Sequence, residues 1–74
     1  MNAIRYKKTV ISEIDQEATR EAIEALRKKS GKSLRAVAIA SGYSPAFLCD
    51  LRAGKRNYNQ ENAPKILAAI RSAL

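Results

Sequence analysis

The chain has 74 residues, with 14 Lys and Arg against 7 Asp and Glu and no histidine, for a net charge of +7. That length suits one domain near the lower limit for folding on hydrophobic burial alone, and an apolar content of 46% is not that of a disordered tail. A single cysteine, Cys49, excludes an intrachain disulfide; no Cys/His cluster has metal-ligand spacing, and no apolar run approaches the ~20 residues that span a bilayer.

In chain order, residues 1–14 are expected to form a basic N-terminal arm or a short strand. Ile4, Tyr6 and Val10 fall on one parity and Arg5, Lys7 and Thr9 on the other, an alternation that Lys8 interrupts. No apolar segment follows these cations as in a secretory signal, so a cytoplasmic chain is expected. The first helix is predicted to start at Ser12 or Asp15, both good caps, and to run to Lys29. Ile14, Ala18, Ala22 and Ala25 recur at helical spacing, with Ile23 and Leu26 beside them. Ser30-Gly31 stops it, glycine suiting the left-handed position past the last turn. Ser33 caps a second, two-turn helix over residues 34–40 that ends at Ser41-Gly42. Ser44-Pro45 opens a third, since a serine cap before proline at the first helical position is a start signal. It runs to Arg52-Ala53 and stops at Gly54. A last helix is predicted over residues 65–74, with Ile66, Leu67, Ile70 and Leu74 as its apolar stripe. Pro64 leaves its start open: either Asn62 caps it with Pro64 in the first turn, or a separate turn begins at Asn59.

Charge is segregated along this order. Residues 1–12 carry +3, residues 13–26 carry −4, residues 27–56 carry +7 and residues 57–74 carry +1. Acids early and bases late in the first helix complement its dipole. That explanation stops at Lys29; Lys32, Arg35, Arg52, Lys55 and Arg56 flank later elements, where they are expected to face a polyanion.

An enzyme is disfavoured. The chain offers no histidine, one cysteine and hardly room for an enclosed pocket. Lys29-Ser30-Gly31-Lys32-Ser33 has no Gly-rich phosphate loop and reads as a connection between helices. The expected architecture is all-α: a compact bundle of four to five short helices over residues 15–74, containing a helix-turn-helix. Two short helices meet at a three-residue turn around Gly42. Ala38 is small enough for close approach, and Leu48 and Leu51 point back at the second helix.

Three runs carry a resemblance: Ser33-Leu34-Arg35-Ala36-Val37-Ala38, Ser41-Gly42-Tyr43-Ser44-Pro45-Ala46-Phe47-Leu48 and Leu51-Arg52-Ala53-Gly54-Lys55-Arg56-Asn57. Together they resemble the lambda-repressor/Cro-like (XRE) helix-turn-helix regulators, over roughly residues 15–70 and most strongly over 33–57. The resemblance implies a DNA-binding domain, usually a homodimer on a two-fold operator. It departs from the family at Lys32, where an apolar residue is usual, and at Pro64, inside the family's fourth helix. The chain also ends where the family commonly continues into a fifth helix, so any dimer contact is expected from the last helix or residues 1–14.

The expected function is a sequence-specific double-stranded DNA-binding regulator, a repressor acting by operator occupancy, with helix 44–53 in the major groove. Ser44, Pro45, Ala46, Phe47, Cys49 and Asp50 are the outward positions of that helix, Cys49 a small filler. The resemblance implies that Ser44, Pro45, Ala46 and Asp50 lie nearest the base edges, and Phe47 is expected to join this base-facing set. It contains no Arg, Gln or Asn for bidentate readout. Thymine-methyl contact, a cytosine amino group on Asp50 and DNA shape are left to discriminate sites. Phe47 equally fits a core or dimer position. The expected phosphate contacts are Ser33, Arg35, Tyr43, Arg52, Lys55, Arg56 and Asn57, with Leu34 at the same helix opening. No cofactor, metal, membrane or small-molecule effector is expected. The alternative is a protein-interaction module, such as a small antitoxin or anti-repressor, for which Ile4, Tyr6, Val10 and Phe47 would supply an exposed apolar strip.

Overall fold

Each of the first three helices opens on a side-chain oxygen and closes on a left-handed glycine. The computed structural model describes residues 3–7 and 13–72. Among them are α1 (Gln16–Ser30), α2 (Leu34–Ser41), α3 (Pro45–Ala53) and α4 (Asn62–Arg71). Asp15 Oδ1 accepts from the Ala18 amide, Ser33 Oγ from Ala36 and Ser44 Oγ from Phe47, each at 3.1 Å. Of the two candidate caps for α1, Asp15 is therefore the one used; Ser12 lies outside the described residues. The α1–α2 and α2–α3 connections share one plan: a left-handed glycine, one further residue, then an extended serine cap (Gly31-Lys32-Ser33 and Gly42-Tyr43-Ser44).

The start of α4 is settled by a reciprocal cap. Asn59 Oδ1 accepts from the amides of Glu61 (2.9 Å) and Asn62 (2.7 Å), while Asn62 Oδ1 accepts from the Asn59 amide at 2.9 Å. The Asn59 carbonyl takes the first helical bond, from Ala63 N at 3.1 Å. A turn beginning at Asn59 thus leads straight into α4, and its first residue, Asn62, is three earlier than predicted. Pro64, with no N–H to give, lies in the first turn, where its φ already suits the helix. Leu74, assigned to the apolar stripe, lies outside the described residues.

α2 packs on α3 and α4, and α1 packs on the same two helices from the other side. Ile23, Val37, Ala38, Leu48, Leu51, Ile66, Leu67 and Ile70 form the core between them. The N-terminal segment joins this core. Tyr6 bridges antiparallel to Ile14, with Lys7 N donating to Glu13 O (2.9 Å) and Asp15 N to Arg5 O (2.8 Å). Ala3 and Ile4 are buried as a result. Fully buried Thr19 fixes the segment from below: its Oγ1 accepts from Arg5 N at 2.9 Å and donates to Arg5 O at 3.2 Å. Residues 3–7 are therefore tied to the body, not a detached arm; Val10 lies outside the described residues. No helix among the described residues is long and apolar enough to cross a membrane.

Tyr58, in the loop before α4, completes the core. Gln16 brackets its backbone in both directions, Nε2 donating to Tyr58 O (2.8 Å) and Oε1 accepting from Tyr58 N (2.7 Å). Burial, helped by the negative charge of Glu24, pushes the Tyr58 phenol up from 10.0 to about 12. Because the folded state holds this proton more tightly, the stability it carries is intact below pH 10 and is lost as pH rises towards 12. Urea unfolding should show a fall of about 2–3 kcal/mol across that window, beyond any fall in Tyr58→Phe, which has no proton to lose.

Candidate nucleic-acid interface

The Gly42–Ser44 turn decides which side of α3 faces out. Leu48 and Leu51 are pressed into the core, which leaves Ser44, Pro45, Ala46 and Cys49 exposed on the opposite side. Of the two positions open to it, outward or core, Phe47 takes the core side. It is half-buried, packed against the core, and its ring stacks on Tyr43 with centroids 4.7 Å apart and planes 20° from parallel.

The loop after α3 folds back over this aromatic pair. Gly54 N donates to Leu51 O (3.3 Å), and the amides of Lys55 (2.8 Å) and Arg56 (3.3 Å) both donate to the Asp50 carbonyl. That return brings the Arg56 guanidinium over the Phe47 ring, 5.1 Å from its centroid. It also places Arg56 Nε 3.4 Å from Asp50 Oδ2. Four predicted site residues, Tyr43, Phe47, Asp50 and Arg56, thus form one contiguous cluster. The Asp50 carboxylate, expected to accept from a cytosine, is already engaged with Arg56.

The remaining site residues are dispersed around this cluster. Ser33 and Arg35 stand exposed at the opposite end of α2, and Ser33 Oγ is committed to its cap. Among the described residues, no hydrogen bond or ring contact joins either to the cluster. Lys55 is exposed with no ion-pair partner among the described residues. Asn57 is exposed, and its carbonyl accepts from Asn62 Nδ2 at 3.2 Å. Arg52 stands apart: it lines a groove with Arg20, Glu21, Glu24, Ala25 and Lys28 of α1.

Several cations of the basic stretch have intramolecular work. Lys32, expected to face a polyanion, directs its Nζ to the carbonyls at the end of α4: Ile70 (2.8 Å), Ala69 (3.2 Å) and Ser72. Arg27 pairs with Glu24 and donates from Nη1 to Lys32 O at 2.8 Å. Outside that stretch, Arg20 Nε donates to Leu51 O at 2.9 Å and so caps α3. The Lys32 and Arg20 contacts link residues 31 to 40 positions apart, so no local pattern announces them. The surplus charge left open at the surface is therefore smaller than the +7 of residues 27–56.

Of the expected apolar strip, Tyr6 is exposed, and Val10 lies outside the described residues. Ile4 is buried and Phe47 is half-buried, whereas Ile39 of α2 is 76% exposed. Beside it, Ala40, Ser41, Lys65, Ala68, Ala69 and Ser72 line a shallow groove between α2 and α4. Nothing in the sequence singles out Ile39; the packing of α2 on α3 and α4 leaves it outside. Among the described residues, no group of three or more His, Cys, Asp or Glu could hold a metal.

Comparison with protein-family models, curated proteins and solved structures gives no match to this chain.

Lys32→Met removes the ammonium from the α4 carbonyls while keeping most of the stem. It should lower unfolding stability by about 1–2 kcal/mol, read by urea denaturation, as expected for charge-assisted bonds at a helix C-terminus. A change within a few tenths of a kcal/mol would mean these contacts contribute nothing net.

Proposed function

We propose that this chain is a sequence-specific double-stranded DNA-binding regulator, acting as a cytoplasmic repressor by operator occupancy, with α3 laid in the major groove. The observation that carries this reading is the disposition of α3. Its two leucines, Leu48 and Leu51, are spent on the core, Ser44, Pro45, Ala46 and Cys49 are exposed, and Arg56 and Lys55 stand at its end. Two helices of eight and nine residues joined at a left-handed glycine match the plan of a helix-turn-helix. The resemblance of residues 33–57 to the lambda-repressor/Cro-like regulators points the same way.

In this reading the affinity comes from phosphates. Lys55 and Arg56 grip the backbone beyond α3, and the free amides of α2 with Arg35 take a second phosphate across the groove. Ser44, Pro45 and Ala46 approach base edges, where small and apolar groups favour thymine methyls and local DNA shape. A two-fold homodimer sets two such helices about one DNA turn, ~34 Å, apart. No catalytic step and no cofactor belongs to this function.

Fluorescence anisotropy with mixed genomic duplex, repeated across a salt series, tests it. With about 5–8 phosphate contacts, affinity falls by orders of magnitude between roughly 50 and 200 mM salt. Arg56→Ala weakens every duplex alike. Affinity that is flat with salt, or no binding, contradicts the reading.

A second reading rests on Ile39. Its exposure beside the Ala40–Ala68 groove suits a protein-interaction module, such as a small antitoxin or anti-repressor that uses the same scaffold to hold a partner protein. In that case Ile39→Lys abolishes partner binding and leaves DNA affinity unchanged or higher.

A further inference from the structure

We infer that Phe47 and Asp50 are not readers of bases but together form a clamp that aims Arg56 at a DNA phosphate. The inference rests on the DNA-binding reading above and assigns a different task to two of its surface residues. A guanidinium has one planar face to stack and donors along its edges. At Arg56 the face lies over the Phe47 ring and Nε points to the Asp50 carboxylate, 3.4 Å away. Among the described residues nothing bonds the two terminal nitrogens. The edge left over is the one that meets two oxygens of a phosphate side by side. Tyr43 backs the ring from the turn, and two amides on the Asp50 carbonyl hold the loop that carries Arg56. The arginine is thereby held in place before DNA arrives, and less side-chain freedom is lost on binding.

The charge of Asp50 sharpens the choice. A carboxylate that merely faced DNA would repel it, and its removal would tighten binding. A carboxylate that aims an arginine gives the opposite sign. Phe47 is neutral, so its replacement has no such direct effect.

The test is a double-mutant cycle on the full chain, using Phe47→Leu, Asp50→Asn and Arg56→Ala singly and in pairs. Each is titrated with the same mixed-sequence duplex, and the preferred site is recovered from a random pool for each single variant. Phe47→Leu and Asp50→Asn should each weaken binding about three- to tenfold. Neither should change the recovered site. In the Arg56→Ala background both effects should shrink to within about twofold, since the group they act through is gone. Urea unfolding of each variant identifies any loss of fold; Asp50→Asn, at the surface, carries the test if Phe47→Leu does not fold. Effects that persist undiminished without Arg56, a changed preferred site, or tighter binding by Asp50→Asn each overturn the clamp while leaving DNA binding intact. Failure of the unmodified chain to bind duplex in a salt-sensitive way overturns the DNA-binding reading and the clamp with it.

Discussion

The angle at which α3 leaves α2 is decided within three residues, and the rest of the molecule is arranged around it. The Gly42 amide closes α2 on the Ala38 carbonyl at 2.9 Å, and its φ of +84° turns the chain in a way that a side chain would resist. There is open space where a Cβ would sit, so the requirement for glycine is one of backbone conformation alone. Two residues later Ser44 is extended and already caps the first turn of α3. With only Tyr43 between the two devices there is no slack, and Leu48 and Leu51 are driven onto Val37 and Ala38. The same geometry turns Ser44, Pro45 and Ala46 outward and sets Tyr43 against Phe47.

Cations in this small protein are divided between two tasks. Lys32, Arg20 and Arg27 are turned inward onto carbonyls and a carboxylate; Lys32 and Arg20 close the ends of α4 and α3, and Arg27 holds the α1–α2 connection. Arg35, Lys55 and Arg56 remain outside, near the exposed side and ends of the α2–α3 pair. A net charge read from composition counts both groups alike. The division matters because the inward group is closed to a polyanion, whereas among Arg35, Lys55 and Arg56 only Arg56 has both its face and one edge already occupied.

The helix ends were legible in the amino-acid sequence because caps are local chemistry: Ser33, Ser44, Gly31, Gly42 and Gly54 act within a turn of where they stand. Pairing of α2 with α3, and burial of Leu48 and Leu51, followed from spacing around Gly42. What stayed hidden depends on residues distant in sequence. Thr19 is a polar residue in a helix with no mark of burial until Arg5 is laid against it. Tyr58 falls in a polar loop and enters the core only because Gln16, 42 positions earlier, brackets its backbone. The commitment of Asp50 to Arg56 spans only six residues, yet it needs the left-handed stop at Gly54 to fold the loop back. Lys32 had a faint signal, a charge where the resembling family carries an apolar residue, but not its destination at the end of α4.

The most direct measurement of the central claim is a map of backbone amide shifts in isotopically labelled protein as a short duplex, taken from the selected pool, is added. With α3 laid in the major groove, the largest shifts fall at Ser33–Arg35, Tyr43, Ser44, Ala46, Phe47, Cys49–Asp50 and Lys55–Asn57, while Ile39, Ala40 and Ala68 stay unmoved. Shifts centred instead on Ile39 and the α2–α4 groove, or no shifts at all, would contradict it.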